Sequence, residues 1–259
     1  MPELITSPSN PKVKRLLALQ QKSSERRERG LFVVEGRREL QHCIDAGFAV
    51  DTIFLCPALL PAFPSQQAKV FEVSEEVYAK IAMREGTEGV IAEVRMPERR
   101  LEDLTLPENP LVMVLERVEK PGNLGAVLRS ADAAGADAVL VCDPLTDLWN
   151  PNLIRASVGA VFTVPCVACS SQEAIAWLKA RGIRILTAQL QDSSLYYDCD
   201  MTVGTALVMG TEATGLTGQW RQAADAHIRI PMLGALDSLN VSVSAAILLF
   251  EAVRQRRNG

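Results

Sequence analysis

Three stretches of this 259-residue sequence set polar and small residues at the ends of apolar runs, where chemistry can be done. The first is VLERVEKPGNLGAVLRSADAAGADAVLV, Val114 to Val141. An apolar run feeds a glycine-containing turn, and the turn opens a helix. Asn123 lies between Gly122 and Gly125, and Arg129 follows Gly125 by one helical turn. A dinucleotide cradle would want GxGxxG here and an acid about 20 residues on; the third glycine is not there. An arginine at this place suits a phosphate or ribose-phosphate substrate. Its bland reading is a surface cation paired with Asp132. The second stretch is ALVMGTEATGLTGQW, in which Gly210 and Gly215 flank Glu212 just after a buried strand. That pattern makes a tight turn with free backbone amides, or an ordinary turn in which Glu212 helps to cap a helix. The third, IRIPMLGALDSLNVSVSAAILLFEAVRQRR, carries Ser238, Asn240 and Ser242 as S-x-N-x-S at the mouth of a long helix, a pattern that also suits a plain N-cap. Within that helix, Val243, Ile247, Phe250 and Val253 recur at helical spacing and read as its core face.

The elements that position these residues follow from pattern. From Leu111 onward, apolar strands alternate with helices: LVMVLERV, AVLVCD, TVPCVAC, IRILTAQL, TALVMG and IRIPML as strands, with SQEAIAWLKARG as a helix capped by Ser171. PNLIRASVGAVF reads as one short helix. Apolar strands between helices predict a parallel sheet covered on both faces. The first third also reads as α/β. Asn10 to Glu28 is predicted helical, LFVVEG, VDTIFLCP, KVFEV and GVIAEVRMP are strands, RRELQHCIDAG is a helix, and Ser74 caps another. Between the two lies MPERRLEDLTLPENP, rich in proline and charge, the best linker at about 96–110. We therefore expect an N-terminal domain over 1–105 and a C-terminal domain over 106–259.

Composition bounds the function. At 48% hydrophobic and 22% charged, the chain is ordinary for a globular protein. No signal peptide is recognisable, and no apolar run approaches the roughly 18 residues of a membrane helix, so a cytoplasmic location is expected. Of the six cysteines only Cys166 and Cys169 form a CxxC, and the histidines are His42 and His227. A closed zinc site wants four ligands, so no metal is expected. Net charge is −4, yet residues 1–42 hold nine basic side chains against five acidic ones. The run reads either as a solvated helix face or as an arm for phosphates.

Taken together and in this order, the three stretches resemble the SpoU (TrmH-like) group of RNA ribose 2′-O-methyltransferases in the SPOUT superfamily. The match lies in NLGAVLRSADAAG, GTEATGL and IPMLGALDSLNVSVSAAILLFEAVRQR, across about 150 residues to the C-terminus. The first third resembles the ribosomal-protein-like RNA-binding domain attached to many members. One position departs: Lys120 precedes Pro121 where members often carry an acid. The resemblance implies an α/β fold whose C-terminal parallel sheet ends in a trefoil knot, with S-adenosyl-L-methionine held there near Gly210, Gly215, Ile230, Met232 and Leu239. It implies Asn123, Arg129, Glu212, Ser238 and Asn240 as the catalytic set, and a homodimer. It points to Arg129 as essential, either as proton acceptor or as a clamp on the neighbouring phosphate. Ribosomal RNA is the expected substrate, with transfer RNA the alternative. A catalytically silent RNA-binding or assembly protein, and a small-molecule nucleotide enzyme using the Gly122 turn, are the rival readings.

Overall fold

A computed structural model describes residues 2–64, 67–84, 88–211, 214–236 and 238–258. Along the chain come β1 (Glu3–Ile5), α1 (Pro11–Gln21), α2 (Ser23–Arg29), β2 (Leu31–Glu35), α3 (Arg37–Asp45), β3 (Val50–Leu55), β4 (Lys69–Val73), α4 (Glu75–Ile81) and β5 (Val90–Arg95). Next are β6 (Leu111–Glu116), α5 (Pro121–Ala134), β7 (Ala138–Cys142), α6 (Pro151–Ser157), α7 (Ala160–Thr163), β8 (Cys166–Cys169), α8 (Ser171–Ala180), β9 (Arg184–Ala188) and β10 (Ser194–Leu195). The chain closes with β11 (Thr205–Met209), α9 (Gly218–Ala223), β12 (Ala226–Arg229) and α10 (Val241–Asn258).

The chain divides into two compact units. One comprises 1–98 together with 147–163; the other comprises 99–146 and 164–259. The first holds a five-stranded mixed sheet in the order β1-β4-β3-β5-β2, with β5 antiparallel to both its neighbours. Val13, Leu16 and Leu19 of α1 and Val77, Tyr78 and Ile81 of α4 close its core over Phe54, Val73 and Ile91. Residues 147–163 belong to this unit through an aromatic cluster. Trp149 stacks on Phe32 with ring centroids 4.6 Å apart, and Phe162 meets Phe48 edge-on at 5.2 Å. The Arg26 guanidinium, 3% exposed, grips Asp147 at 2.6 Å.

The second unit is a seven-stranded sheet, β10-β12-β9-β11-β6-β7-β8, parallel throughout. Every residue of β6, β7 and β11 is buried. Such uninterrupted burial follows from helices on both faces. Val112, Val114, Leu140 and Val208 point to one face, where they meet Trp177 of α8 and Trp220 of α9. Alternate residues point to the other face, where α10 packs against α5, β6 and β11.

Several sequence expectations change. The predicted helix over Asn10 to Glu28 is two helices, because Lys22 takes an extended conformation (φ −118°, ψ 119°) ahead of Ser23. The segment 151–163 also breaks, at Val158 in the left-handed region (φ 56°). Ser170, not Ser171, caps α8, in a capping box with Glu173. The strand predicted through IRIPML stops at Arg229; Pro231, without an N–H, cannot extend a ladder. On α10, Val243 and Phe250 are about half exposed, so they are not core; the buried face is Val241, Ala245, Leu248, Leu249 and Ala252.

Candidate active site

The carboxyl ends of β9, β11 and β12 open into a pocket of about 630 Å³, within the ~300–1,000 Å³ usual for small-molecule sites. Its walls are the segments that directly follow these strands, as expected where ligands bind open parallel sheets. Past β11 the chain makes a closed loop. Thr211 and Gly215 exchange backbone hydrogen bonds of 3.3 and 3.0 Å, and the Thr214 N–H donates to Thr211 Oγ1 at 3.0 Å. Gly215 takes φ +66°, and Gly210 has no room for a side chain: a Cβ there would lie 2.3 Å from the carbonyl carbon and oxygen of Gly215. The wall at this point is backbone pressed on backbone, with polar main-chain groups left to meet a ligand.

The opposite wall comes from the segment before α10. Ile230 and Met232 are half-buried, while Ser238 and Leu239 are exposed; all four line the pocket. Asn240 does two jobs. Its Oδ1 accepts from the Ser242 N–H at 2.9 Å, the capping arrangement that S-x-N-x-S suggested. Its Nδ2 donates to Asn123 Oδ1 at 3.2 Å. That bond joins the third sequence motif to the first across 117 residues. Asn123 sits in the first turn of α5, which begins with Pro121 at its N-terminus and ends at Gly135 in the left-handed region.

Arg129 lies further along α5. It is exposed, outside the pocket wall, and has no hydrogen-bond or ion-pair partner among the described residues. The bland surface pairing with Asp132 is therefore not made. Glu212 lies outside the described residues. The structure thus gathers Gly210, Gly215, Ile230, Met232, Ser238, Leu239 and Asn240 around one pocket, joins Asn123 to it, and leaves Arg129 on the outer surface of α5. Sequence reading missed Gln189, Gln191, Arg221 and Arg229, which also line the pocket. The signal was there for two of them: Gln189 and Gln191 follow directly on the carboxyl end of β9.

The cysteines gather elsewhere. Cys142 and Cys169 are register partners on β7 and β8, with Sγ atoms 3.9 Å apart. Burial pushes the Cys166 thiol up to about 12, so it stays protonated at neutral pH. Among the described residues, no group of three or more His, Cys, Asp or Glu side chains could hold a metal ion.

The model of the SpoU rRNA Methylase family matches residues 110–250, a span that contains the whole pocket. The chain belongs to the SpoU rRNA methylase family. A second model, that of the MRM3-like substrate binding domain, matches residues 10–92 of this SpoU methylase. The chain is 30% identical over 263 residues to a 23S rRNA (uridine(2479)-2′-O)-methyltransferase of Streptomyces viridochromogenes, covering 96% of this chain and 92% of the relative. It is 29% identical to a 23S rRNA (guanosine(2553)-2′-O)-methyltransferase of Bacillus subtilis, covering 95% and 97%. An AdoMet-bound rRNA methyltransferase from Sinorhizobium meliloti superposes with a TM-score of 0.89 at 31% identity, covering 97% of each chain. The α/β architecture expected from the sequence, with a parallel C-terminal sheet and a smaller N-terminal α/β domain, is the architecture found. Among the described residues, no helix is long and apolar enough to cross a membrane.

Proposed function

We propose that this SpoU methylase transfers the methyl group of S-adenosyl-L-methionine to a ribose 2′-hydroxyl of ribosomal RNA, in the cytoplasm and as a homodimer. The observation that carries the reading is the Asn240–Asn123 bond beside a backbone-walled pocket at the sheet's carboxyl ends. It occurs in a chain that aligns almost end to end with two ribosomal RNA ribose methyltransferases. In this reading residues 106–259 carry the chemistry and residues 1–105 hold the RNA. In the same reading the C-terminal segment threads into a trefoil knot, as the resemblance to the SPOUT superfamily implies.

The residues present suit the cofactor. Gly210, Gly215, Ile230, Met232 and Leu239 would hold it, because Gly210 keeps the wall narrow and polar while Ile230, Met232 and Leu239 add apolar surface. S-adenosyl-L-methionine supplies a methyl group already activated on a sulfonium, so alignment and exclusion of water are what the protein must add. Asn123, fixed by Asn240, and Ser238 at the pocket rim orient the target ribose. Glu212 belongs to the same set by its place in the motif. Arg129, cationic and unpaired, grips the phosphate beside that ribose; a guanidinium keeps its proton at neutral pH, which favours the clamp over proton acceptance. The neighbouring positive charge then eases loss of the 2′-hydroxyl proton.

The homodimer rests on α10. Val243 and Phe250 are 47% and 48% exposed on one face, and Leu233 and Leu236 on the preceding segment are 98% and 78% exposed. Apolar surface of this kind marks an interface. The function is tested with purified protein, S-adenosyl-L-methionine labelled in its methyl group, and ribosomal RNA digested to nucleosides. Label in a 2′-O-methylnucleoside is expected; label in a base-methylated nucleoside would overturn the reading.

A further inference from the structure

Glu116 is the last residue of β6, in the middle of the seven-stranded sheet, and it is 0% exposed. Burying a carboxylate is costly unless hydrogen bonds replace the lost water. No cation supplies them, since Glu116 has no ion-pair partner among the described residues. Both oxygens turn instead to one residue. Oε2 accepts from the Thr217 N–H at 2.8 Å, and Oε1 accepts from the Thr217 hydroxyl at 2.6 Å. Ser171 Oγ also approaches Oε1, at 3.4 Å, but its single proton is better placed on Asp143 Oδ2 at 2.6 Å. The same Ser171 oxygen accepts the indole N–H of Trp220 at 2.9 Å. Glu116 and Ser171 therefore hold the start of α9 from two sides, through Thr217 and Trp220.

Thr217 comes directly after Gly215 and Leu216, whose backbone presses on Gly210 and walls the pocket. The entry to that loop is fixed by the β11–β6 ladder, where Met209 pairs with Leu115. Its exit is fixed by Glu116, one residue further along β6. The last two residues of one strand thus hold both ends of the loop. We propose that Glu116 is a positioning residue for the methyl donor: its carboxylate clamps Thr217 so that the wall formed by Gly210, Gly215 and Leu216 is in place before the donor arrives. This rests on the reading of the pocket as the S-adenosyl-L-methionine site. Preformed walls lower the ordering cost of binding, so the clamp acts on donor affinity and leaves RNA recognition alone.

The test compares wild type with Glu116→Leu, Glu116→Gln and Thr217→Val. The readouts are calorimetric Kd for S-adenosyl-L-methionine, KM for donor and RNA separately, kcat, and circular dichroism with thermal melting. Glu116→Leu is expected to raise Kd and KM for the donor about tenfold or more, with KM for RNA within about twofold. Glu116→Gln should restore most of the affinity, because its amide oxygen can accept the Thr217 N–H while its amino group donates to Thr217 Oγ1. Thr217→Val removes one of the two bonds and keeps the carboxylate; it should raise Kd by about threefold to tenfold, and it decides the matter if Glu116→Leu does not fold. Unchanged donor Kd in a folded Thr217→Val or Glu116→Leu protein would overturn the proposal, as would an equal rise in the KM for RNA. Failure of the wild type to bind the donor at all would instead overturn the reading of the pocket, and the clamp's role with it.

Discussion

At the scale of single residues, the site depends on one absent side chain and one unpaired one. Gly210→Ala would place a methyl group 2.3 Å from the Gly215 carbonyl, so the loop has to move. Calorimetry should then give a donor Kd at least about tenfold weaker, in a protein whose far-ultraviolet dichroism is unchanged. Arg129 does not line the pocket, so Arg129→Ala should leave donor binding nearly intact while transfer falls by about a hundredfold or more. Full turnover by that variant would remove Arg129 from the mechanism. A third residue reports through pH. Burial pushes the Glu35 carboxyl above its ordinary value of 4.5, against the Met83 N–H and the Arg84 guanidinium, which pull it down. A raised folded-state value means that the folded protein holds this proton more tightly. The resulting stabilisation is full below the unfolded value and is lost as pH rises through the folded one. Glu35→Gln lacks that loss, so as pH rises past the ordinary carboxyl range its melting temperature should gain on that of the wild type; a constant difference would contradict the assignment. Asn123, Gly210 and Asn240 were legible in the sequence because small and polar residues at the ends of apolar runs are chemically conspicuous. Glu116 was not, since one acid at the end of a strand looks like a loop residue until its burial is known.

Elements were legible wherever one physical pattern acted alone. The short, unbroken, β-branched runs of β6, β7 and β11 match strands buried on both faces. The predicted helix over Asn10 to Glu28 failed because a single extended residue, Lys22, leaves the apolar period almost intact while ending the hydrogen-bond ladder. Short pieces with few residues to establish a period, β1 and β10, were not foreseen. On α10 the helix itself was evident, but it carries two apolar stripes, and periodicity does not say which of them is buried. The stripe with Val241, Ala245, Leu248 and Ala252 is buried; the one with Val243 and Phe250 faces outward. Aspartate at both Val243 and Phe250 should therefore convert the protein to a monomer by light scattering, with its melting temperature little changed. A large loss of stability without dissociation would mean that the stripe serves the fold of a single chain.

At the scale of the molecule, proline and charge suggested a linker near 96–110, yet Leu101 is buried in the core of the second unit with Leu104 and Leu106 packed beside it, and nothing in the sequence showed the return of residues 147–163 to the N-terminal unit. Trp149, Phe162 and Asp147 make that return through aromatic packing and a buried ion pair with residues far away in sequence, which no local pattern encodes. Removal of residues 1–95 would strip these side chains of their partners, so RNA binding is better probed in the full chain. Arg37 and Arg38 are exposed at the start of α3. Replacing both with alanine should weaken RNA binding several-fold, lower its salt dependence by about one unit of slope for each phosphate no longer neutralised, and leave donor affinity unchanged. The most direct measurement is transfer of labelled methyl groups from S-adenosyl-L-methionine into total RNA from cells lacking this protein, with the modified positions then mapped. Incorporation at the 2′-oxygen of one ribosomal RNA nucleotide is the expected result. No incorporation into free RNA or into ribosomal particles, by protein that binds the donor, would contradict it.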